Sequence, residues 1–186
     1  MLNCILFYIG RPKYDNVCAK VAIVNHKLEV EYNKTTRMAP GEYHVTPMST
    51  KINGITATSL AREDLPPDEL YEEVAELLKE RVVVTAAGTG DFSSLGQNIG
   101  DFDTFDIQNH WFTEKFAPGG VLVREPMCLK KIIAHYFPDY PFQVPGRTHD
   151  PSEDAIAVMK LFMEVYIEIK KDNVTSRMNE DPFFLR

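Results

Sequence analysis

The chain lacks any run approaching the roughly 18 apolar residues that a membrane-spanning helix requires, and its first residues carry no basic segment leading into a cleavable apolar core. No membrane association is therefore expected, and neither is secretion. Cysteine is scarce: Cys4, Cys18 and Cys128 are odd in number, show no close metal-ligand pairing, and stand in apolar runs where a free thiol behaves as a small hydrophobe. A disulfide framework and a cysteine zinc site are excluded, and a reduced intracellular setting, nucleus or cytoplasm, is expected. Positive charge is in short supply, with 20 Lys and Arg against 27 Asp and Glu for a net charge of -7. Passive capture of a phosphate backbone depends on cations that displace counterions, so any nucleic-acid site must be local. The pairs Lys130-Lys131 and Lys170-Lys171 are too sparse, and too poorly interleaved with aromatics, to form a nucleic-acid stripe.

What is present reads as one α/β domain over residues 1–170 followed by a tail over 171–186. Short runs rich in Ile, Val, Leu and Tyr at 2–9, 17–25 and 28–33 predict strands, the last two joined by the polar turn Asn25-His26-Lys27 in an antiparallel meander. Pro66-Pro67-Asp68 opens a helical pattern with Leu70, Val74, Leu77 and Leu78 on one face, and the strand-like Val82-Val83-Val84 follows. Beyond Gly88-Thr89-Gly90-Asp91 the pattern predicts a short helix, a strand near 102–107, and a loop over about 108–124 that carries Trp111 and Gly119-Gly120. A helix over about 127–137 uses Leu129, Ile132, Ile133 and Tyr136 and stops at Pro138. The last helix, to about residue 170, starts with Asp150 as N-cap, Pro151 at the first position and Glu153 as partner in a capping box, with Ile156, Met159, Phe162 and Val165 as its apolar stripe. This order implies a mixed central sheet flanked by helices.

Three blocks of sequence stand out: Ala19 to Asn25, Val45 to Ile55, and Cys128-Leu129-Lys130-Lys131 followed by His149-Asp150-Pro151-Ser152-Glu153-Asp154-Ala155. In this order over about residues 2–166 they resemble the DEDDh 3'-5' exonucleases, and within them the subgroup of interferon-stimulated and ribosome-biogenesis RNA exonucleases. The resemblance implies an RNase H-like fold, a single-stranded RNA or DNA substrate, two Mg²⁺ or Mn²⁺ ions, and a histidine as general base. Carried over residue by residue, the second aspartate of such a site falls on Asp91, the histidine on His149 and the last aspartate on Asp154. The Asp-x-Glu of the first strand falls on Asn3 and Ile5, and Thr85-Ala86 stands where the family has Gly-His. Two acids one residue apart on a strand point to one face and make a two-ligand platform, which an amide and an aliphatic side chain do not provide.

The expectation that follows is a pseudoenzyme, an exonuclease-like domain without a functional catalytic set or resident cofactor. It would serve as a protein-interaction module in an RNA-processing complex, through an apolar surface including Trp111, Phe183 or Phe184. The alternatives are a weak or unorthodox metal-dependent 3'-5' exoribonuclease, binding one Mg²⁺ or Mn²⁺ through Asp91, Asp154 and Asn3, and a non-cleaving binder of single-stranded RNA 3' ends. Each retained residue also has a structural reading. Asp154 in a first helical turn is favoured by the helix dipole, Asp91 is expected to cap a short helix, and His149 can be a loop histidine. The acids Asp101, Asp103 and Asp106 read as a solvated face.

Overall fold

The computed structural model describes residues 2–10, 16–63 and 65–171, with Leu2–Gly10, Asn16 and Lys171 described through their backbone alone. Strands β1 (Leu2–Gly10), β2 (Asn16–Asn25) and β3 (Val30–Thr35) form the expected antiparallel meander. The turn after β2 is fixed by Asn25, whose Oδ1 accepts from the Lys27 and Glu29 backbone N–H groups. Two short helices follow, α1 (Pro47–Asn53) and α2 (Ala57–Leu60). Thr46 caps α1 by accepting from Ser49 N–H at 3.0 Å, and Thr56 and Ser59 cap α2 reciprocally. Neither was visible as an apolar stripe: α1 has no buried residue and α2 only Leu60.

Helix α3 (Pro67–Leu78) buries Leu70, Val74 and Leu78 as its spacing predicts, and leads into β4 (Val83–Thr85), α4 (Gly88–Ser94) and β5 (Thr104–Asp106). The sheet order is β3-β2-β1-β4-β5, with β1, β4 and β5 parallel to one another. A parallel neighbour needs a crossover, and α3 supplies the one between the meander and β4. Its apolar face packs with Cys18, Val21, Ile23, Val83, Phe92 and Leu95 in one core cluster. On a second cluster, Val24, Val84 and Ile107 meet α5 (Leu129–Tyr136) and α6 (Pro151–Leu161). The last helix is continuous to Lys171, but Phe162–Tyr166 forms one π-helical turn before α7 (Ile167–Lys171). That turn lets Phe162 and Tyr166 stack on each other at 5.5 Å, with Phe105 tilted or edge-on to both rings.

The predicted loop over 108–124 is instead a turn of 3₁₀-helix (Ile107–His110) and a hairpin, β6 (Phe112–Phe116) with β7 (Leu122–Pro126). This two-stranded sheet is separate from the main one and exposes Phe116, Val121 and Leu122. With no buried face it carries no apolar alternation, so its strands left no period-2 signal. Among the described residues no helix is long and apolar enough to cross a membrane.

Candidate active site

Asn3 lies where β1 has neighbours on both sides, opposite Val24 of β2 and Val84 of β4, and Ile5 lies opposite Ala22. These positions are central in the sheet; their side chains fall outside what the structure describes. Thr85 ends β4, and the chain turns into α4 through Ala87, whose φ of 62° is left-handed. Asp106 holds that turn, its Oδ1 accepting from Ala87 N–H at 3.0 Å and Gln108 N–H at 2.9 Å. Asp106 is thus occupied structurally, while Asp101 and Asp103 are exposed.

Asp91 is not the cap of α4. The helix begins at Gly88 after Ala87, and Asp91 sits inside its first turn, only 6% exposed. Its charge reaches Cys18 on β2. Burial first, and the Asp91 carboxylate second, hold the Cys18 thiol well above its ordinary pKa, so it stays a neutral, inert thiol. Cys18 and Cys128 are both free, as the cysteine count implied.

Helix α6 begins at the predicted cap, with Asp150 Oδ1 accepting from Ser152 N–H at 2.8 Å and Pro151 at the first position, but Asp150 bonds Ser152 and the expected capping box with Glu153 is not formed. Asp150 Oδ2 also pairs with Lys20 of β2 at 2.8 Å. Asp154, one turn further, is 6% exposed and its Oδ1 accepts from Gln143 Nε2 at 2.9 Å. Burial raises its pKa, while the Gln143 hydrogen bond and the neighbouring His149 act against that rise. His149 stands just before the cap, where its backbone N–H donates to the Ile52 carbonyl at 2.7 Å. The close approach of the α1 end to this segment depends on Gly54. Its φ of 73° is left-handed, and a Cβ there would lie 3.3 Å from Thr148 Cγ2.

His149 and Gln143 line a cleft of about 420 Å³ whose wall also carries Lys51, Lys130 and Arg147. Taken singly along the sequence these cations gave no signal; α1, α5 and the loop before His149 bring them to one place in a chain of net charge -7. The pair Lys130-Lys131 was therefore undervalued, because what matters is the convergence of Lys130 with cations far away in sequence. Gln143 was missed altogether, since nothing in the sequence marks a glutamine that folds back on an aspartate 11 positions on.

The described residues contain no group of three or more His, Cys, Asp and Glu side chains that could hold a metal ion. Two buried carboxylates, Asp91 and Asp154, are what they offer. Asp154 has one oxygen fixed by Gln143, and its other oxygen takes no hydrogen bond from a described residue. This donor set falls short of a two-metal site.

Of the surface residues expected to dock a partner, Trp111 is fully buried, its Nε1 donating to Tyr136 Oη at 2.9 Å. It belongs to the core cluster of α5 and α6 and is removed from any docking surface. Phe183 and Phe184 lie outside the described residues.

No family model matches the chain. RNA exonuclease 4 of Aspergillus fumigatus is 30% identical over 162 residues, which cover 87% of this chain and 48% of that protein. The chain thus spans about half the length of this relative. The fold is shared with the exonuclease-containing module of Saccharomyces cerevisiae Pan2 bound to AAGGAA RNA, at a TM-score of 0.71 and 17% identity over 95% of this chain and 30% of that one. These comparisons support an RNase H-like exonuclease domain of the kind found in the DEDDh 3'-5' exonucleases. Two more members of this RNase H-like fold are the Neurospora crassa Pan2 catalytic unit (TM-score 0.69, 18% identity, 92% and 27% covered) and Escherichia coli Exonuclease I with a dA16 oligonucleotide (TM-score 0.64, 12% identity, 91% and 41% covered).

The expectation of a DEDDh-like domain that has lost its activity is corrected by these comparisons. The sequence relative is an RNA exonuclease, the shared fold is that of nucleases, and no observation reports a loss of activity. The carboxylates missing at Asn3 and Ile5 weigh against a two-metal site but are not themselves a loss of activity.

Proposed function

We propose that this DEDDh domain is a weak or unorthodox metal-dependent 3'-5' exoribonuclease that acts on single-stranded RNA, as the interferon-stimulated and ribosome-biogenesis exonucleases do. The observation that carries the reading is the placement of His149, and of Asp154 through Gln143, beside a cleft with three cations in an otherwise acidic protein. Likeness to RNA exonuclease 4 favours RNA as the substrate.

In this mechanism Lys51, Lys130 and Arg147 attract the phosphate backbone to the cleft, so binding weakens as salt rises. Asp91 and Asp154 are the residues that would hold the divalent ion. When bound, such an ion supplies Lewis-acid stabilisation of the developing oxyanion and favours deprotonation of the attacking water. His149 takes that proton as general base, on a loop fixed by its own backbone bond to Ile52. The apolar wall formed by Met48 and Ile52 gives a base or ribose a surface to rest on.

The test follows 5'-labelled single-stranded RNA by gel through a Mn²⁺ titration, with binding measured in parallel. The expected result is a ladder shortening from the 3' end that vanishes in chelator and in His149→Ala or Asp154→Asn. Salt-sensitive binding without a ladder would refute cleavage and identify a reader of RNA ends. Absence of both binding and cleavage would refute the reading altogether.

A further inference from the structure

The cleft beside His149 gathers positive charge from three parts of the fold. Helix α1 contributes Met48, Lys51 and Ile52, α5 contributes Lys130, and the segment before α6 contributes Arg147 and His149. Backbone and side-chain bonds tie these parts together. His149 N–H donates to the Ile52 carbonyl at 2.7 Å, Lys130 Nζ donates to the Gln143 carbonyl at 2.9 Å, and Arg147 N–H closes a turn on the Val144 carbonyl at 3.1 Å. Among the described residues the lining holds no Asp or Glu, although the chain has 27 of them. None of the seven ion pairs among those residues uses Lys51, Lys130 or Arg147. Three cations are therefore left without a carboxylate, and an anionic ligand supplies what they lack.

Size and charge together narrow that ligand. A volume of about 420 Å³ lies at the small end of ligand pockets, so the cleft admits one nucleotide and leaves the rest of a strand outside. Exposed Met48 and Ile52 offer its base or ribose an apolar wall. A terminal nucleotide ending in a 3' hydroxyl brings a single diester charge to the three cations. A 3'-terminal phosphate adds a monoester, which carries about −1.5 to −2 at neutral pH and raises the total to about −2.5 to −3. We infer that the cleft selects RNA whose 3' end is phosphorylated. The inference rests on the exoribonuclease reading, which brings an RNA 3' end to His149, and it uses the chain's own cations alone.

The experiment measures the fluorescence anisotropy of internally labelled single-stranded RNA against the full chain, in chelator, over a range of salt. Three RNAs of one sequence are compared: one with hydroxyls at both ends, one with a phosphate on the 3' end alone, and one with a phosphate on the 5' end alone. The third carries the charge of the second at the opposite end. Lys51→Ala and Arg147→Ala are the variants; both side chains are exposed and in no ion pair, so the fold is retained. The expected result is that the 3'-phosphate RNA binds about 3- to 30-fold more tightly than the other two, from one or two further cation-phosphate contacts. Its log affinity then falls more steeply with log salt, by about 0.7–1.4 in slope. Each variant erases most of that advantage. Equal or lower affinity for the 3'-phosphate RNA, an equal gain from a 5' phosphate, or an advantage that survives in either variant would overturn the inference. The exoribonuclease reading stands in those cases as long as the variants still weaken binding of the hydroxyl-ended RNA. RNA binding that is absent altogether, or that neither variant weakens, would overturn the reading itself and this inference with it.

Discussion

Asp150 joins the two ends of the fold that make the candidate site, and its removal has effects that separate cleanly. Its Oδ1 caps α6 through Ser152 N–H at 2.8 Å, while its Oδ2 pairs with Lys20 of β2, also at 2.8 Å. Loss of an N-cap side chain costs about 1 kcal/mol. The ion pair has side-chain exposures of 22% and 41%, so it belongs with solvent-screened pairs worth about 0.2–1 kcal/mol. Asp150→Ala removes both and is expected to cost roughly 1–2 kcal/mol, a fall of about 3–6 °C in melting temperature for a domain of this size. Asp150→Asn retains a good cap and loses only the charge, so it should cost no more than about 0.5–1 kcal/mol at neutral pH. The pH dependence has a definite sign. Burial raises the Asp150 pKa, but the Lys20 and Ser152 hydrogen bonds outweigh it and leave the folded value below the ordinary one. The folded protein therefore binds this proton less tightly than the unfolded chain. Its stabilisation is complete above the unfolded carboxyl pKa and is lost as pH falls through the folded one. Urea unfolding of wild type, Asp150→Asn and Asp150→Ala at neutral and acid pH checks this: the Asn variant should converge on wild type as the pH drops. If Asp150→Asn costs as much as Asp150→Ala at neutral pH, the cap contributes nothing and the reasoning fails.

Three further outcomes follow from the packing. Thr85 Oγ1 is buried without a hydrogen-bond partner, so Thr85→Val should stabilise the fold by about 1 kcal/mol or be neutral in denaturant unfolding; a clear destabilisation would mean the hydroxyl is bonded. A Cβ at Gly88 would lie 2.6 Å from Thr85 Cβ, so Gly88→Ala should cost about 1–3 kcal/mol; because alanine at 85 keeps that Cβ, Thr85→Gly and not Thr85→Ala is the change expected to relieve the clash in a double-mutant cycle. Trp111 fills the core between the hairpin and α5, and Trp111→Ala should cost about 3–5 kcal/mol in equilibrium unfolding. A surface tryptophan that held a partner would cost far less.

Whatever depended on local periodicity or capping could be read without a structure. The N-terminus of α6 is set by Asp150 and Pro151, and that of α3 by Pro66 and Pro67, because these residues act on the helix ends they adjoin. The meander follows from apolar strands separated by Asn25, which builds its own turn. The hairpin β6–β7 stayed hidden because its strands have no buried face, and α1 and α2 because they are too short and exposed to show a stripe. Trp111 was misplaced for a related reason: a tryptophan in a stretch read as loop looks like surface until α5 and α6 are packed over it.

By itself the sequence determined the order of β1 to β5 with α3, α4, α5 and α6, the superfamily resemblance, the absence of carboxylates at Asn3 and Ile5, and the retention of Asp91, His149 and Asp154. Tertiary structure alone decided that Asp91 and Asp154 are buried, that Gln143 is bent onto Asp154, and that Lys51, Lys130 and Arg147 share one cleft with His149. The division has a physical cause. Propensity and capping act over a few residues, whereas burial and charge convergence depend on segments that meet only when the chain is folded.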